Sequence, residues 1–302
     1  MRVLVVAEHR AGELRPVTLE AIGAGTQLGE VDVLVVGPDA LAQAVNVQGV
    51  SEIVAVAAGT EFDPDLLRRV VSEVAEERSI DVVLLGNTVD AMSYAAAVAI
   101  DGGRGFVSDV FALKPGLVAT RSVYAGKVDA EVAIDGHAVV LIRPGAFEPA
   151  TGAGSATLTS RIETRAARVR HLETIQPDDG GLDLAQQRFL LAIGRGIGEE
   201  SNVELFTELA NSMGATLASS RPLVDSGWMP SSRLVGQSGA TVKPAVYLAF
   251  GISGAIQHLA GMKASETIIA VNHDPEASIF NLAHFGAVAD IFDVAEELAK
   301  LY

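Results

Sequence analysis

The chain has 302 residues, 49% hydrophobic and 20% charged, with 30 Gly, 11 Pro, no Cys and a formal net charge of −16. Without cysteine there is no disulfide framework, thiolate metal site, iron–sulfur cluster or Cys nucleophile, and an acidic surface disfavours nucleic acid, whose phosphates are neutralised by Lys and Arg. A mean hydropathy of +0.33 with few aromatics implies an Ala/Val/Leu/Ile interior and argues against disorder, while no apolar run reaches the ~20 residues of a membrane helix.

Met1 and Arg2 lead directly into the strand-like Val3-Leu4-Val5-Val6-Ala7, so no targeting segment is expected ahead of the fold. The length suggests about two domains of ~150 residues each. Short β-branched runs at 2–8, 31–37, 50–57 and 81–86 read as strands, with helices predicted at 16–28, 39–46, 63–78 and 88–101. In the third helix, Asp63-Pro64 forms the start, and Leu66, Leu67, Val70, Val71 and Val74 make one buried face. Strand–helix alternation with continuously apolar strands predicts a parallel sheet covered on both faces.

Past residue 104 the texture changes to extended segments at 106–113, 117–124, 127–134 and 138–143. Asp135-Gly136, between Val132-Ala133-Ile134 and Val139-Val140-Leu141, is a hairpin signal. Residues 148–160 are small and polar, and Gln176-Pro177-Asp178-Asp179-Gly180-Gly181 reads as a linker, with a boundary near 182. A second α/β unit follows, with strands at 189–194, 215–219, 245–250, 267–271 and 288–292 and helices at 200–213, 253–261, 276–285 and 293–301. The long irregular segment between Arg221 and Pro244 is of the kind that carries function.

Generic motifs are absent. There is no phosphate-binding G-x-x-x-x-G-K-[ST] loop, and Gly194-Arg195-Gly196-Ile197-Gly198 fails the dinucleotide fingerprint; it reads as a tight turn before a helix capped at Ser201, its Arg pointing to an anion. The six His include no spaced ligand set, and no metal site is expected. Ser253 misses nucleophile-elbow spacing because position 255 is Ala. Trp228 is expected to be a packing anchor. Polar groups instead gather where strands end: Ser219-Ser220-Arg221, Val235-Gly236-Gln237-Ser238-Gly239, Ser253 to His258, Asn272, and Asp290 in the last strand. Ligands of open parallel sheets bind at the strands' carboxyl ends, and glycine-flanked helix starts suit pyrophosphate. Together these features point to a dinucleotide site.

Val235-Gly236-Gln237-Ser238, the run Tyr247 to Met262 (YLAFGISGAIQHLAGM) and Ile268-Ile269-Ala270-Val271-Asn272 with Asp274-Pro275-Glu276 resemble the electron-transfer flavoprotein α-subunit family. Gly194-Arg195-Gly196 and Ser220-Arg221 fall in place upstream. Looser similarity runs through Gly105-Phe106-Val107-Ser108-Asp109-Val110, Tyr124-Ala125-Gly126-Lys127 and Arg143-Pro144-Gly145-Ala146-Phe147. The resemblance implies an α/β protein of two Rossmann-like domains with mainly parallel sheets: an N-terminal domain, 1–182, packing on a β-subunit, and a doubly wound FAD-binding domain, 183–302. It also implies a heterodimer that takes electrons from flavin dehydrogenases of the acyl-CoA type and passes them to a membrane quinone reductase. Such a carrier turns over no substrate of its own, and the expected location is the cytoplasm. AMP, or a second FAD in an electron-bifurcating variant, would lie in the β-subunit. The bifurcating variant, and a flavin-dependent enzyme with its own substrate, remain as alternatives.

By the same resemblance, Arg221 lies against the isoalloxazine, Ser238 donates to flavin N5 where many relatives carry Thr, and His258 approaches the N1/C2 carbonyl region. Gln237 lies near the ribityl chain and flavin edge, and Val235 and Gly236 belong to the same cofactor site. Ser253, Gly254, Ala255, Ile256 and Gln257 line the ribityl–pyrophosphate stretch. Arg195, Ser220, Asn272, Asp290 and Ile291 hold the pyrophosphate and adenosine. Donors and cations near N1 and the C2 oxygen favour reduction. With charge-assisted hydrogen bonds worth roughly 1.5–3 kcal/mol, each such contact moves a one-electron potential by roughly 60–130 mV. The acidic helix bearing Glu199, Glu200, Glu204 and Glu208 reads as a solvated face with favourable N-terminal charges.

Overall fold

The computed structural model describes residues 1–124, 126, 128–162, 172–173 and 182–302. The predicted linker at 176–181, and Ala125 and Lys127 of the quoted motifs, lie outside them. The chain divides into two compact units, Met1–Glu173 and Thr174–Tyr302.

The first unit opens with β1 (Arg2–Val6) and a small ribbon of β2 (His9–Arg10) and β3 (Glu13–Leu14), and continues through β4 (Glu30–Gly37), β5 (Val50–Ala57) and β6 (Val82–Gly86). Then come β7 (Gly105–Lys114), β8 (Val118–Val123), β9 (Val128–Ala133), β10 (Ala138–Ile142) and β11 (Thr157–Arg161). Apart from the ribbon, they form one sheet in the order β11-β5-β4-β1-β6-β10-β7-β8-β9, parallel from β11 to β7 and antiparallel thereafter. Side chains alternate across the strands. Val3, Val5 and Val33 therefore face the helices Pro16–Thr26 and Ala40–Ala44, and Leu4, Val6 and Leu34 face Pro64–Glu77 and Ala95–Asp101. Asp63 caps the Pro64–Glu77 helix by accepting from Leu66 N at 2.9 Å, and its apolar face is the predicted one, with Val70, Val71 and Val74 buried and Leu66 and Leu67 packed beside them.

The Asp135-Gly136 hairpin does not form. Ala138–Ile142 is buried along its whole length and needs a neighbour on each side, which it finds in parallel with β6 and β7. The alternating, largely exposed β9 pairs antiparallel with β8 at the sheet's far edge. Full burial outweighed the local turn signal. The polar stretch 148–160 conceals β11, an edge strand whose exposed residues keep it hydrophilic. The helix predicted over 88–101 is two pieces, Val89–Met92 and Ala95–Asp101. In the looser motifs, the Arg143 guanidinium clasps Asp109 in bidentate fashion at 2.8 and 2.7 Å, pinning the chain beyond β10 to a bulged point of β7.

The second unit is a five-stranded all-parallel sheet in the order β13-β12-β14-β15-β16, built from β12 (Phe189–Ile193), β13 (Thr216–Ser219), β14 (Val246–Phe250), β15 (Thr267–Asn272) and β16 (Phe285–Val288). The Val203–Ser212 and Ile291–Ala299 helices cover one face, where Phe206 and Leu209 meet Leu191 and Ile193, with Trp228 packed alongside. The Ile256–Met262 helix covers the other, with Met262 against Leu190 and Tyr247. Chain order reverses between β12 and β14, which opens a crevice at their carboxyl ends.

Three predicted elements differ here. The last strand ends at Val288, so Asp290 is not within it; its carboxylate caps the final helix by accepting from Phe292 N at 2.8 Å. The helix over 276–285 is a single 3-10 turn, Ser278–Asn281. Asn202, not Ser201, stands at the N-cap of Val203–Ser212. Among the described residues no helix is long and apolar enough to cross a membrane.

Leu84, fully buried in β6 between β1 and β10, sets the scale of the first unit's core. Leu84→Ala is expected to cost about 2–5 kcal/mol, whereas Leu158→Ala on the exposed edge strand should stay within about 0.5 kcal/mol. Urea unfolding of both variants checks the contrast.

Candidate functional site

At the reversal point, two loops meet backbone to backbone. A Cβ on Gly194 would fall 2.4 Å from Gly251 O, and one on Gly196 would fall 2.6 Å from Gly251 Cα. Gly251 itself sits at φ 62, in the left-handed region that glycine favours. The contact is closed by hydrogen bonds from Gly194 N to Phe250 O at 2.9 Å and from Gly196 N to Gly251 O at 3.0 Å. This closeness leaves Arg195 exposed at the mouth of a cleft of about 580 Å³, within the usual size of cofactor sites.

Four segments wall the cleft. From the end of β13 come Ser220 and Arg221. The Arg221 guanidinium donates through Nε to Asp225 Oδ1 at 2.6 Å and through Nη1 to Ser238 Oγ at 3.1 Å. Val235, Gly236, Gln237 and Ser238 form the second wall. This loop is tied down by Val235 N to Ser219 O at 3.0 Å and Gln237 N to Gln257 O at 2.7 Å. Gly236 lies so near Gly261 that a Cβ on the latter would come 2.5 Å from Gly236 Cα.

The third wall follows β14: Ser253, Ala255, Gln257 and His258, on the loop into the Ile256–Met262 helix and its first turn. That helix begins at Ile256, not 253, and has no side-chain cap; its third N–H, that of His258, turns back to Ala255 O at 2.9 Å. The fourth wall is Asn272 and its successors His273 and Asp274. Asn272 is buried, donates to Ile252 O at 2.9 Å and accepts from Asp274 N at 3.1 Å. Its amide is a strut between two loops.

His258 is buried, 6% exposed, and packs against the fully buried Tyr247, whose hydroxyl lies 2.9 Å from His258 Nε2. The other ring nitrogen, Nδ1, is buried with no hydrogen-bond partner. Burial pulls the imidazole down to about 4, with the Val235 backbone opposing. At neutral pH the ring is uncharged, so of Arg221, Ser238 and His258 it is Arg221 that brings the charge.

Of the sequence-derived site residues, Gly254, Ile256, Asp290 and Ile291 do not line the cleft. Gly254, at φ 83, lets its loop pass Ile279, whose N lies 2.2 Å from where a Cβ would stand. Ile256 opens the helix, Asp290 caps the last one, and Ile291 is buried in the core below it. Sequence reasoning missed Pro222, Leu234, Ile252, His273 and Asp274 as lining residues. The last two were accessible to the strand-end argument, since they directly follow Asn272.

Fold and cleft define a two-unit α/β protein whose second unit is a doubly wound nucleotide-cofactor domain. The electron transfer flavoprotein domain family matches residues 3–168, and the electron transfer flavoprotein FAD-binding domain family matches residues 183–263. The α-subunit of electron transfer flavoprotein from Methylophilus methylotrophus is 47% identical, covering 98% of each chain. That from Mycobacterium leprae is 38% identical over 98% of this chain and 96% of its own, and Protein FixB of Clostridium saccharobutylicum is 35% identical over 98% and 94%. The chain belongs to the electron transfer flavoprotein α-subunit family.

Two outcomes test this geometry. Because the folded imidazole titrates below its ordinary 6.5, the unfolded chain binds the His258 proton more readily between pH 6.5 and 4. Its contribution is therefore complete above the ordinary value and is lost as pH falls, up to about 3 kcal/mol. Denaturant titrations across that window should show a shallower acid decline in His258→Gln. Asp290→Ala should cost about 1 kcal/mol as a lost helix cap and leave the cleft intact; a loss of cofactor affinity with unchanged stability would assign Asp290 to binding instead.

Proposed function

We propose that this chain is the FAD-carrying α-subunit of a heterodimeric electron-transfer flavoprotein, a redox carrier without substrate turnover of its own. Supporting this is one arrangement: an exposed guanidinium (Arg221) joined to a hydroxyl (Ser238) and, in the same cleft, a buried imidazole nitrogen on His258 that makes no hydrogen bond of good geometry. A buried polar atom without a partner is costly. A flavin, with ring acceptors at one edge and a phosphate-bearing tail, answers the imidazole donor, the arginines and the uncapped helix together.

FAD supplies one- and two-electron chemistry when bound. The chain's part is to hold it and set its ease of reduction. Arg221, Ser238 and His258 address the ring; Gln237 and the loop 253–257 take the ribityl and pyrophosphate stretch; Arg195 and Ser220 take the adenosine end with Asn272 holding the walls. Asp225 fixes the Arg221 fork and offsets part of its charge. In the same proposal the N-terminal domain, 1–182, packs on the β-subunit, which holds AMP, and domain 183–302 carries FAD. Donors are flavin dehydrogenases of the acyl-CoA type, the acceptor is a membrane quinone reductase, and the setting is the cytoplasm.

Co-expressed with its β-subunit, the chain should purify yellow with one FAD assignable to this cleft; a colourless, folded heterodimer would overturn the proposal. Redox titration of Arg221→Ala should show a potential lower by roughly 60–130 mV, the equivalent of one charge-assisted contact. Ser238→Ala should move the potential more than FAD affinity, and the reverse ordering would reassign the hydroxyl to binding alone.

A further inference from the structure

The Tyr247 hydroxyl is fully buried, and among the described residues its one hydrogen-bond partner is His258 Nε2 at 2.9 Å. The bond can be made two ways. If Nε2 carries a proton, it donates to the phenolic oxygen and the phenolic proton is stranded in an apolar core among Leu190, Met262 and Ile268. If the phenol donates, Nε2 accepts through its lone pair and the single ring proton resides on Nδ1. Whenever Nε2 carries a proton, in the first arrangement or in the doubly protonated ring, the phenolic hydrogen has no acceptor; the second arrangement gives it Nε2 and places the single ring proton on Nδ1 of the residue that lines the cleft. Burial also raises the phenol's pKa and lowers the imidazole's, which keeps the phenol protonated and the ring neutral.

Nδ1 is buried on a residue that lines the cleft and makes no hydrogen bond of good geometry, and the Val235 backbone, which favours a proton on the ring, acts in the same sense as the phenol. We infer that Tyr247, which does not itself line the cleft, is a positioning residue that holds His258 as the Nδ1–H tautomer, so that a fixed, uncharged N–H donor meets the flavin ring. The inference rests on the functional proposal above for the donor's target, but the tautomer is a property of this chain. In the opposite tautomer a lone pair would face the ring acceptors and repel them. A donor held in place beforehand needs no reorganisation when charge builds on its partner.

The test uses the full-length chain with its β-subunit, labelled with ¹⁵N-histidine, the His258 signals being assigned by their loss in His258→Gln. Two-bond ¹H–¹⁵N spectra at neutral pH should show His258 as Nδ1–H, and Tyr247→Phe should convert that pattern to Nε2–H or to a mixture while the other histidines stay put. In redox titrations Tyr247→Phe should lower the flavin potential in the same direction as His258→Ala, and the double variant should lie no lower than His258→Ala alone. The inference is overturned if wild-type His258 is Nε2–H or doubly protonated, if Tyr247→Phe keeps the Nδ1–H pattern, or if the two substitutions add. Should Tyr247→Phe fail to fold, the wild-type spectrum alone decides. A heterodimer without flavin but with the Nδ1–H pattern would sink the functional proposal and the donor's target while supporting the tautomer lock.

Discussion

Two backbones touch with no side chain between them where β12 and β14 end, and the second unit's cleft is a consequence of that contact. Gly194 and Gly196 press on Gly251, a separation that no Cβ could share. Because chain order reverses there, the connections after β12 and β14 depart to opposite faces of the sheet. The space between them would ordinarily be filled by side chains. Here the loops are cinched at their base, and their outer parts carry Arg195 on one side and Ser253 to His258 on the other. The glycines that failed a sequence fingerprint serve the fingerprint's purpose, close backbone approach at a strand end, with a different spacing.

The same economy governs the remaining walls. Gly236 against Gly261 lets the 235–238 loop rest on the Ile256–Met262 helix, and the Gln237 N to Gln257 O bond fixes its height. Asn272 spends both ends of its amide on the loops beside it. A side chain so placed is a brace. Within a chain of net charge −16, the cleft's cations are few, and Arg221 is restrained by Asp225 and Ser238.

Most of the second unit was legible because its strands are short, apolar and separated by punctuating glycines, and because polar residues collect at their carboxyl ends. Legibility failed where a local signal competed with burial elsewhere. Asp135-Gly136 has the chemistry of a hairpin, yet β10 is too apolar to sit beside an exposed strand and goes to the middle of the sheet. The β11 edge looks like loop because half-wet strands at a sheet's margin carry loop-like composition. Asp290 was legible as a polar residue near a strand end but not as a cap, since both roles favour the same residue type just before a helix. Tyr247 was invisible as a functional residue. In sequence it is one more aromatic in a buried strand, and only its distance to His258 separates it from core packing.

That distance changes what the site is able to do. A surface histidine near a cofactor would gain and lose a proton across the physiological range and carry the cofactor's properties with it. Buried beside a phenol, His258 is denied the second proton by desolvation and by the lack of an acceptor for the hydrogen that protonation would strand. Arg221 supplies a guanidinium and Ser238 a hydroxyl. The three groups supply one charge, one hydroxyl and one neutral donor. The polar surroundings that these three residues give the cleft are thus set by covalent structure and burial rather than by the medium.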